Sequence, residues 1–346
     1  MSSGNRARVT GGPRVSVVIP TWNGAAVLRA CLATLAAQTF TDVETIVVDN
    51  GSSDGTRAML AAEFPAVRCV PLDTNRGFAA ATNVGLRAAR GDILVCLNND
   101  VECEPGFLAA LLAPLDARPD LGFVAAKMLN AHHPDLIDSA GDAMSLVPWN
   151  VGRGEPDAPA FNVPREILSA CAGAAAYRRV LFETVGYFDE GYFAYFEDVD
   201  LGIRAQLQGF RCWYEPTAVV RHRFSATAGA GSEFKAFMLT RNALKLFFQT
   251  MPLRRIVLWG PVVLGWPWLD PIFFDRPLRV TARAWLAFWG KLPEVLRERR
   301  RIYRARTVPV ARLLALLESP WIDLTRAWRA LPKRLGLLLR GQRAHA

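Results

Sequence analysis

The stretch "LVCLNND", residues 94–100, passes abruptly from apolar side chains to two amides and a carboxylate. With Ile93 before it, the run has the length and bounded ends of a buried β-strand, which leaves Asn98, Asn99 and Asp100 at the tip. Upstream the same kind of run recurs as "VSVVIP" (15–20), "VETIVVD" (43–49) and "VRCVPL" (67–72), separated by helix-like stretches at 25–38, 54–63 and 78–90. Short apolar strands alternating with helices predict an α/β fold whose mainly parallel sheet is covered on both faces. Further along, "PGFLAALLAPLDA" reads as a helix and "LGFVAAKML" as another strand. Residues 130–166 show little periodicity, which predicts a long loop or small subdomain of the kind that often forms a binding element or lid.

In sheets of this kind ligands bind beyond the carboxyl ends of the strands, where loops converge and helix N-termini offer free N–H groups. The four segments that follow the strands are "PTWNG", "DNGSSDGT", "DTNRGF" and "NND". All are polar. Ordinary turns use the same residues for backbone reasons, so Ser52, Ser53 and Asp54 have two readings, as ligand contacts or as turn and helix-cap residues, Asp54 being well placed as an N-cap. Asp49 and Asp100 are different, because two carboxylates at neighbouring strand exits repel unless a cation or a hydrogen-bonding ligand offsets their charge.

A second polar cluster is "GYFDEGYFAYFEDVDLGIRAQLQGF", residues 186–210, where acids are interleaved with Tyr and Phe. Rings beside acids predict a partly dry site, in which burial makes a carboxylate a better base and flat rings suit a sugar. The structural alternative makes Asp198 an N-cap and Asp200 a residue that favours the helix dipole. His222, in "VVRHRF", follows a strand-like run; it is either a structural histidine or a further ligand for a divalent cation.

Composition narrows the class. The chain has 346 residues, 51% hydrophobic and 21% charged, which suits a globular protein with disorder only at its ends. Its net charge of +9 is partitioned: residues 251–346 hold 19 of the 41 Lys and Arg and 6 of the 32 acids, a net +13, leaving the first 250 residues at −4. A near-neutral domain with a basic, Trp-rich tail points to an anionic membrane surface and away from nucleic acid. In that tail "IVLWGPVVLGWPWL", residues 256–269, is too short to span a bilayer and contains Pro261 and Pro267. Helices lying on the inner leaflet are expected, with packing against the rest of the protein as the alternative. The six cysteines form no C-x-x-C pair and are expected to be reduced and at least partly buried. The first residues show no apolar h-region, so the expected location is cytoplasmic, peripheral on the inner face of the membrane.

Taken in order, "VSVVIPTWNG", "IVVDNGSSDGT", "NRGFAAATNVGLRAARGDILVCLNNDVE" and "GYFDEGYFAYFEDVDLGIRAQLQGFRCWYEPTAVVRHRFSATAG" resemble the family 2 glycosyltransferases of the GT-A fold, particularly rhamnosyltransferase-like members. The resemblance covers roughly residues 14–230. It implies a flexible N-terminus over 1–13, a catalytic domain over 14–239, and a basic amphipathic helical region over 240–346. Pro20, Thr21 and Asn23 resemble the first nucleotide-contacting loop, and Asp49 the acid that hydrogen-bonds the base. Asn50, Ser52, Asn75, Gly77, Phe78, Asn83, Asn98 and Asn99 fall in the remaining nucleotide-sugar-binding stretches. Asp100 stands where the family has its Asp-x-Asp metal ligand, although Asn98 replaces the first acid, and His222 matches the downstream metal-binding histidine. Asp198 matches the catalytic base, with Tyr195, Phe196 and Glu197 beside it on the acceptor or sugar side.

The resemblance implies Mg2+ or Mn2+ as cofactor, a nucleotide-diphosphate sugar as donor, and inverting transfer to a lipid-linked or polysaccharide acceptor in cell-envelope glycan synthesis. dTDP-rhamnose is the first expectation for the donor, with UDP-hexoses or UDP-galactofuranose behind it. A sugar-nucleotide-binding protein without turnover is the non-enzymatic alternative. A nucleotidyltransferase is disfavoured because "PTWNG" carries no Lys or Arg for a phosphate loop.

Overall fold

A computed structural model describes residues 12–223, 232–269 and 277–323. Most of the N-terminus expected over 1–13, the "SATAG" end of the last motif, Asp270, Asp275 and the end of the basic tail lie outside the described residues. The order of elements begins β1 (Val15–Thr21), α1 (Ala25–Ala36), β2 (Val43–Asp49), α2 (Thr56–Glu63), β3 (Arg68–Pro71), α3 (Phe78–Ala88) and β4 (Ile93–Leu97), as the periodicity predicted. β5 (Val101–Cys103), α4 (Phe107–Ala117) and β6 (Leu121–Asn130) follow. The segment without periodicity holds short strands, β7 (Ile137–Ser139), β8 (Asp142–Met144), β9 (Pro148–Asn150) and β10 (Arg165–Ile167). Then come β11 (Ala174–Arg178), α5 (Arg179–Val185), α6 (Glu197–Leu207) and β12 (Arg211–His222). Four helices end the described chain: α7 (Glu233–Thr250), α8 (Leu253–Gly265), α9 (Leu278–Ala305) and α10 (Val310–Leu316).

The sheet runs β10-β12-β6-β11-β4-β1-β2-β3, with β5 on β12 and β7 on β6. From β4 to β3 it is wholly parallel, and the antiparallel strand β11 joins that half to the parallel pair β6 and β12. β1 sits between β2 and β4, so the chain leaves it in opposite directions, and the crevice of an open α/β sheet belongs at that reversal. Alternation along β1 sorts the core. Val15, Val17 and Ile19 pack with Leu28, Cys31 and Leu32 of α1 and with α4. Val18 packs with Ile46, Val48 and the Ala79, Ala81 and Leu86 face of α3.

A third apolar cluster joins Tyr192, Val199, Ile203 and Leu207 to Leu244, Phe247, Val263, Phe288, Val295 and Ile302. The boundary expected at 239/240 therefore falls inside α7, whose buried stripe continues the core of the catalytic part. In α9 the buried residues Val280, Ala284, Phe288, Val295 and Ile302 recur at helical spacing and form its inward stripe. No helix among the described residues is long and apolar enough to cross a membrane. All six cysteines are free and buried or partly buried.

Candidate active site

Strand register sets the first wall of the site. Thr21 lies opposite Asp49, and Val18 opposite Cys96, so Thr21 and Asn99 are level one strand apart. Asn99 Nδ2 donates to Thr21 Oγ1 at 2.8 Å. Asn50 braces the next loop: its Nδ2 donates to Asn75 Oδ1 at 2.9 Å, and its Oδ1 accepts from the backbone N of Arg76 at 2.9 Å. Gly77 has φ 86°, and a Cβ there would come within 2.6 Å of the Phe193 ring. Only glycine allows the loop to lie this close to the opposite wall.

These residues open on a cavity of about 1120 Å3 at the carboxyl edge of the sheet. Pro20, Thr21, Asn50, Asn75, Gly77 and Phe78 line it from the exits of β1, β2 and β3 and the loops beyond them, Asn98, Asn99 and Asp100 from the tip of β4, His222 from the end of β12, and Tyr195, Phe196, Glu197 and Asp198 from the entry to α6. Four predicted site residues, Asn23, Asp49, Ser52 and Asn83, are not among its lining residues. Asn23 and Ser52 clasp the loops after β1 and β2, Ser52 Oγ accepting from Asn23 N at 2.9 Å and Asn23 Oδ1 accepting from Ser53 N at 2.8 Å. Asp49 is fully buried, accepts from Ser52 N at 3.0 Å and pairs with Arg57. Asn83 holds the 188–190 segment, donating to Phe188 O and Glu190 Oε1 and accepting from Phe188 N. Asp54 is not the N-cap of α2, a place taken by left-handed Gly55; its carboxylate bonds Thr56 and reaches Ala25 N at the start of α1.

His222 is carried to Asp100 by pairing. In β12 the even-numbered residues face inward, and His222 lies opposite Val101 of β5. Its Nε2 is 3.1 Å from Asp100 Oδ1 and 3.5 Å from Asn98 Nδ2, while Nδ1 is 2.7 Å from Asp138 Oδ2. Burial alone lowers an imidazole pKa, but the bonds to Asp100 and Asp138 outweigh it and raise His222 to about 9. Asp138, which the sequence reading did not single out, thus orients the ring so that Nε2 faces Asp100. Arg153, also on the cavity wall, donates to Asp138 O at 3.1 Å.

Among the described residues no three His, Cys, Asp or Glu side chains gather as a self-contained metal centre. The pair Asp100 and His222, beside the amide of Asn98, still suits a hard divalent ion that completes its shell with water and substrate phosphates. Such an ion would displace the His222 proton on binding.

At the entry to α6 Asp198 Oδ2 accepts from Ala172 N at 3.1 Å and Oδ1 from Val199 N at 2.8 Å. Burial raises its pKa despite these bonds. Burial pushes the neighbouring Glu197 and Asp142 carboxyls well above the usual range, and the Asp198 charge adds to it. Asp200, in the same first turn of α6, is a core residue: it is fully buried, 2.7 Å from Arg204 Nε and 2.9 Å from Gln249 Nε2.

The segment before Asp198 is unusual. Phe193, Tyr195 and Phe196 have φ of 66°, 73° and 71°, a region costing side-chain-bearing residues about 1–3 kcal/mol each. The remaining wall comes from elements whose residues the sequence reading did not place in the site: Trp149 and Arg153 from the 130–166 segment, and Lys235, Leu239, Ala243, Val263, Trp266 and Pro267 from the C-terminal helices. For 130–166 the missing periodicity and long span were the only signal.

Known proteins bear on the family and the fold. The family model described as glycosyl transferase family 2 matches residues 16–186. An N-acetylglucosaminyl-diphospho-decaprenol L-rhamnosyltransferase of Mycobacterium tuberculosis is 30% identical, over 62% of this chain and 77% of its own. The O-antigen biosynthesis protein RfbC of Myxococcus xanthus is 29% identical over 65% of this chain, which spans only 18% of that protein's length. Among solved structures, a mannosyltransferase of Pyrobaculum calidifontis in complex with GDP-Man and Mn2+ superposes with a TM-score of 0.51 at 20% identity, over 96% of this chain and 89% of that one. GalNAc-T7 with UDP, GalNAc and Mn2+ gives 0.56 at 17% identity, over 68% of this chain and 48% of that one. At such identities the structures bear on the fold alone, and the fold is the expected GT-A arrangement.

Proposed function

The chain belongs to glycosyl transferase family 2, and from that premise we propose that it is a metal-dependent, inverting transferase. It moves a sugar from a nucleotide-diphosphate donor, dTDP-rhamnose first, to a hydroxyl of a lipid-linked acceptor in cell-envelope glycan synthesis. The observation that carries this reading is that Asp198 and the Asp100–His222 pair face one cavity whose other end is built from strand-exit loops. The loops of Pro20, Thr21, Asn50, Asn75, Gly77 and Phe78 hold the nucleotide, with Asp49 and Ser52 shaping that end from behind. Asp100 and His222 would hold a divalent ion, which when bound would supply charge neutralisation for the diphosphate.

Asp198 takes the proton of the acceptor hydroxyl. The acceptor oxygen bonds to the anomeric carbon while the carbon–oxygen bond to the diphosphate breaks, and attack from the opposite face inverts the configuration. Its raised pKa makes Asp198 a stronger base than an exposed carboxylate, while two backbone N–H groups hold its direction. Glu197, Tyr195 and Phe196 stand on the acceptor side.

The apolar end of the cavity supports a lipid-linked acceptor. In the turn 266–269, Trp266 and Pro267 line the cavity, whereas Trp268 and Leu269 are exposed. Leu253, Val257 and Leu258, in the first turns of the preceding helix α8, are exposed too. One turn therefore carries apolar side chains both on the cavity wall and on the outer surface, and Lys235 adds a cation to that wall. Arg297, Arg300, Arg301 and Arg304 line a hollow on α9, which suits an anionic inner leaflet. These features support a position on the cytoplasmic face of the membrane.

The deciding experiment is a thermal-shift panel of dTDP-rhamnose, UDP-glucose and UDP-galactofuranose with and without Mn2+. A donor at a hundred times its Kd stabilises the native state by about 2.7 kcal/mol, and dTDP-rhamnose with Mn2+ should give the largest shift. Absence of a shift from all three donors in either condition would refute the reading.

A further inference from the structure

We propose that Asn242 and Arg241 of α7 are positioning residues for the catalytic carboxylate, so that a helix of the basic C-terminal region works as part of the transfer site. The proposal rests on the transferase reading for what Asp198 does, and on geometry alone for what holds it. Left-handed backbone at Phe193, Tyr195 and Phe196 turns successive carbonyls of this loop towards α7. Asn242 Nδ2 lies 3.0 Å from Tyr192 O, 2.7 Å from Ala194 O and 2.9 Å from Tyr195 O, and the residue is fully buried. The two hydrogens of one amide are therefore shared among three carbonyls, of which Tyr192 O also accepts from Ala194 N at 2.8 Å. Arg241 completes the device: its Nη2 donates to Tyr192 O at 2.8 Å and Gly191 O at 3.2 Å, and both Nε and Nη2 donate to Asn242 Oδ1. The guanidinium fixes which way the amide faces, since only Oδ1 can accept from it.

The held loop connects directly to chemistry on both sides. Phe196 is the left-handed residue from which α6 starts, with Glu197 and Asp198 in its first turn. At its other end Phe193 O accepts from Ala79 N at the start of α3, and the Phe193 ring covers Gly77. A loop in this conformation relaxes once its carbonyls lose their donors, because aromatic residues do not choose φ near 70° unaided. Relaxation rotates the entry to α6 and with it the direction of Asp198. The nucleotide end has a brace of its own in the Asn50–Asn75 hydrogen bond, and meets the held loop at Phe193.

The test uses the full-length protein with Asn242→Asp and Asn242→Ala. Aspartate keeps the volume and the Arg241 pairing while replacing the donors with an acceptor and adding a charge, and alanine removes the donors without one. In hydrogen–deuterium exchange, amides of 193–199 should exchange at least tenfold faster in both variants, while those of β1, β2 and β4 stay within twofold. With dTDP-rhamnose as donor, kcat should fall at least a hundredfold and donor KM stay within about threefold. Leu246→Ala, a cavity-forming change on the same helix, controls for stability: it should lower Tm at least as much and leave kcat within threefold. Unchanged exchange over 193–199 in both variants, or exchange raised equally throughout the protein, would overturn the proposal. So would a kcat loss in Leu246→Ala matching that of Asn242→Asp. If the wild type transfers nothing from dTDP-rhamnose, the transferase reading with that donor fails, and the exchange pattern still decides the positioning role.

Discussion

Between Val15 and Asp100 each residue that reaches the cavity comes from the exit of a parallel strand or the loop just beyond it, and register alone brings the residues level. The facing wall is assembled from distant segments: His222 is held by Asp138, 84 residues before it, and the loop ahead of Asp198 by Asn242, 50 residues after Tyr192. The first half is a scaffold in which neighbouring loops brace each other. The second is a convergence of elements, each with a separate hold on one reactive group. Damage on the Asp198 side should therefore affect turnover more than donor binding, whereas damage to the strand-exit loops or to the Asp138–His222 pair should weaken donor binding.

The sharpest test of that separation is Asp198→Asn. Loss of a general base costs on the order of 10²–10⁴ in rate, and nucleotide binding should remain within a few fold. The wild-type rate should also fall on acidification at a higher pH than an ordinary carboxylate would give, since the raised pKa leaves Asp198 protonated sooner. A variant that lost donor affinity and turnover equally would break the division. A second probe is Asp138→Asn. Partners of a metal-ligating histidine typically contribute 10–100-fold in metal affinity, so Mn2+-dependent donor binding should weaken by about that factor, measured by titration of Mn2+ at fixed donor. No change would show that His222 needs no orienting partner.

The smallest effect is expected outside the cavity. Leu253, Val257 and Leu258 are 60–67% exposed on α8, and burial of such side chains in a bilayer interface is worth at most roughly 1.5–3 kcal/mol each. Changing all three to serine should reduce partition onto phosphatidylglycerol vesicles at least tenfold with Tm nearly unchanged. Equal partition by the variant and the wild type would remove this face from the membrane reading.

Much of the donor half was legible before any coordinates. The runs at 15–20, 43–49 and 93–97 are apolar because both faces of a parallel sheet are covered, and such runs announce strands whose ends must carry the polar groups. Asp100, Asp198 and His222 were nameable through the motifs that resemble the family, since residue chemistry alone left Asp198 and His222 each a structural reading. The limits had physical causes as well. Asp49 looked like a free acid at a strand exit, but Arg57 lies on the next helix and reaches back to it. A boundary at residue 240 looked natural from charge, yet charge partition describes surfaces, and α7 shares its buried stripe with Tyr192 and Val199.

The order of strands and helices from Val15 to Asp100, the polar strand exits and the acid–aromatic cluster before Asp198 follow from the sequence, because local periodicity and turn chemistry depend on residues close in the chain. The pairing of Asp138 with His222, the place of residues 142–155 on the cavity wall and the grip of Asn242 on a left-handed loop were decided only by the tertiary structure. Each joins segments far apart in the chain, and a hydrogen bond of that kind leaves no period in the sequence that holds its two ends.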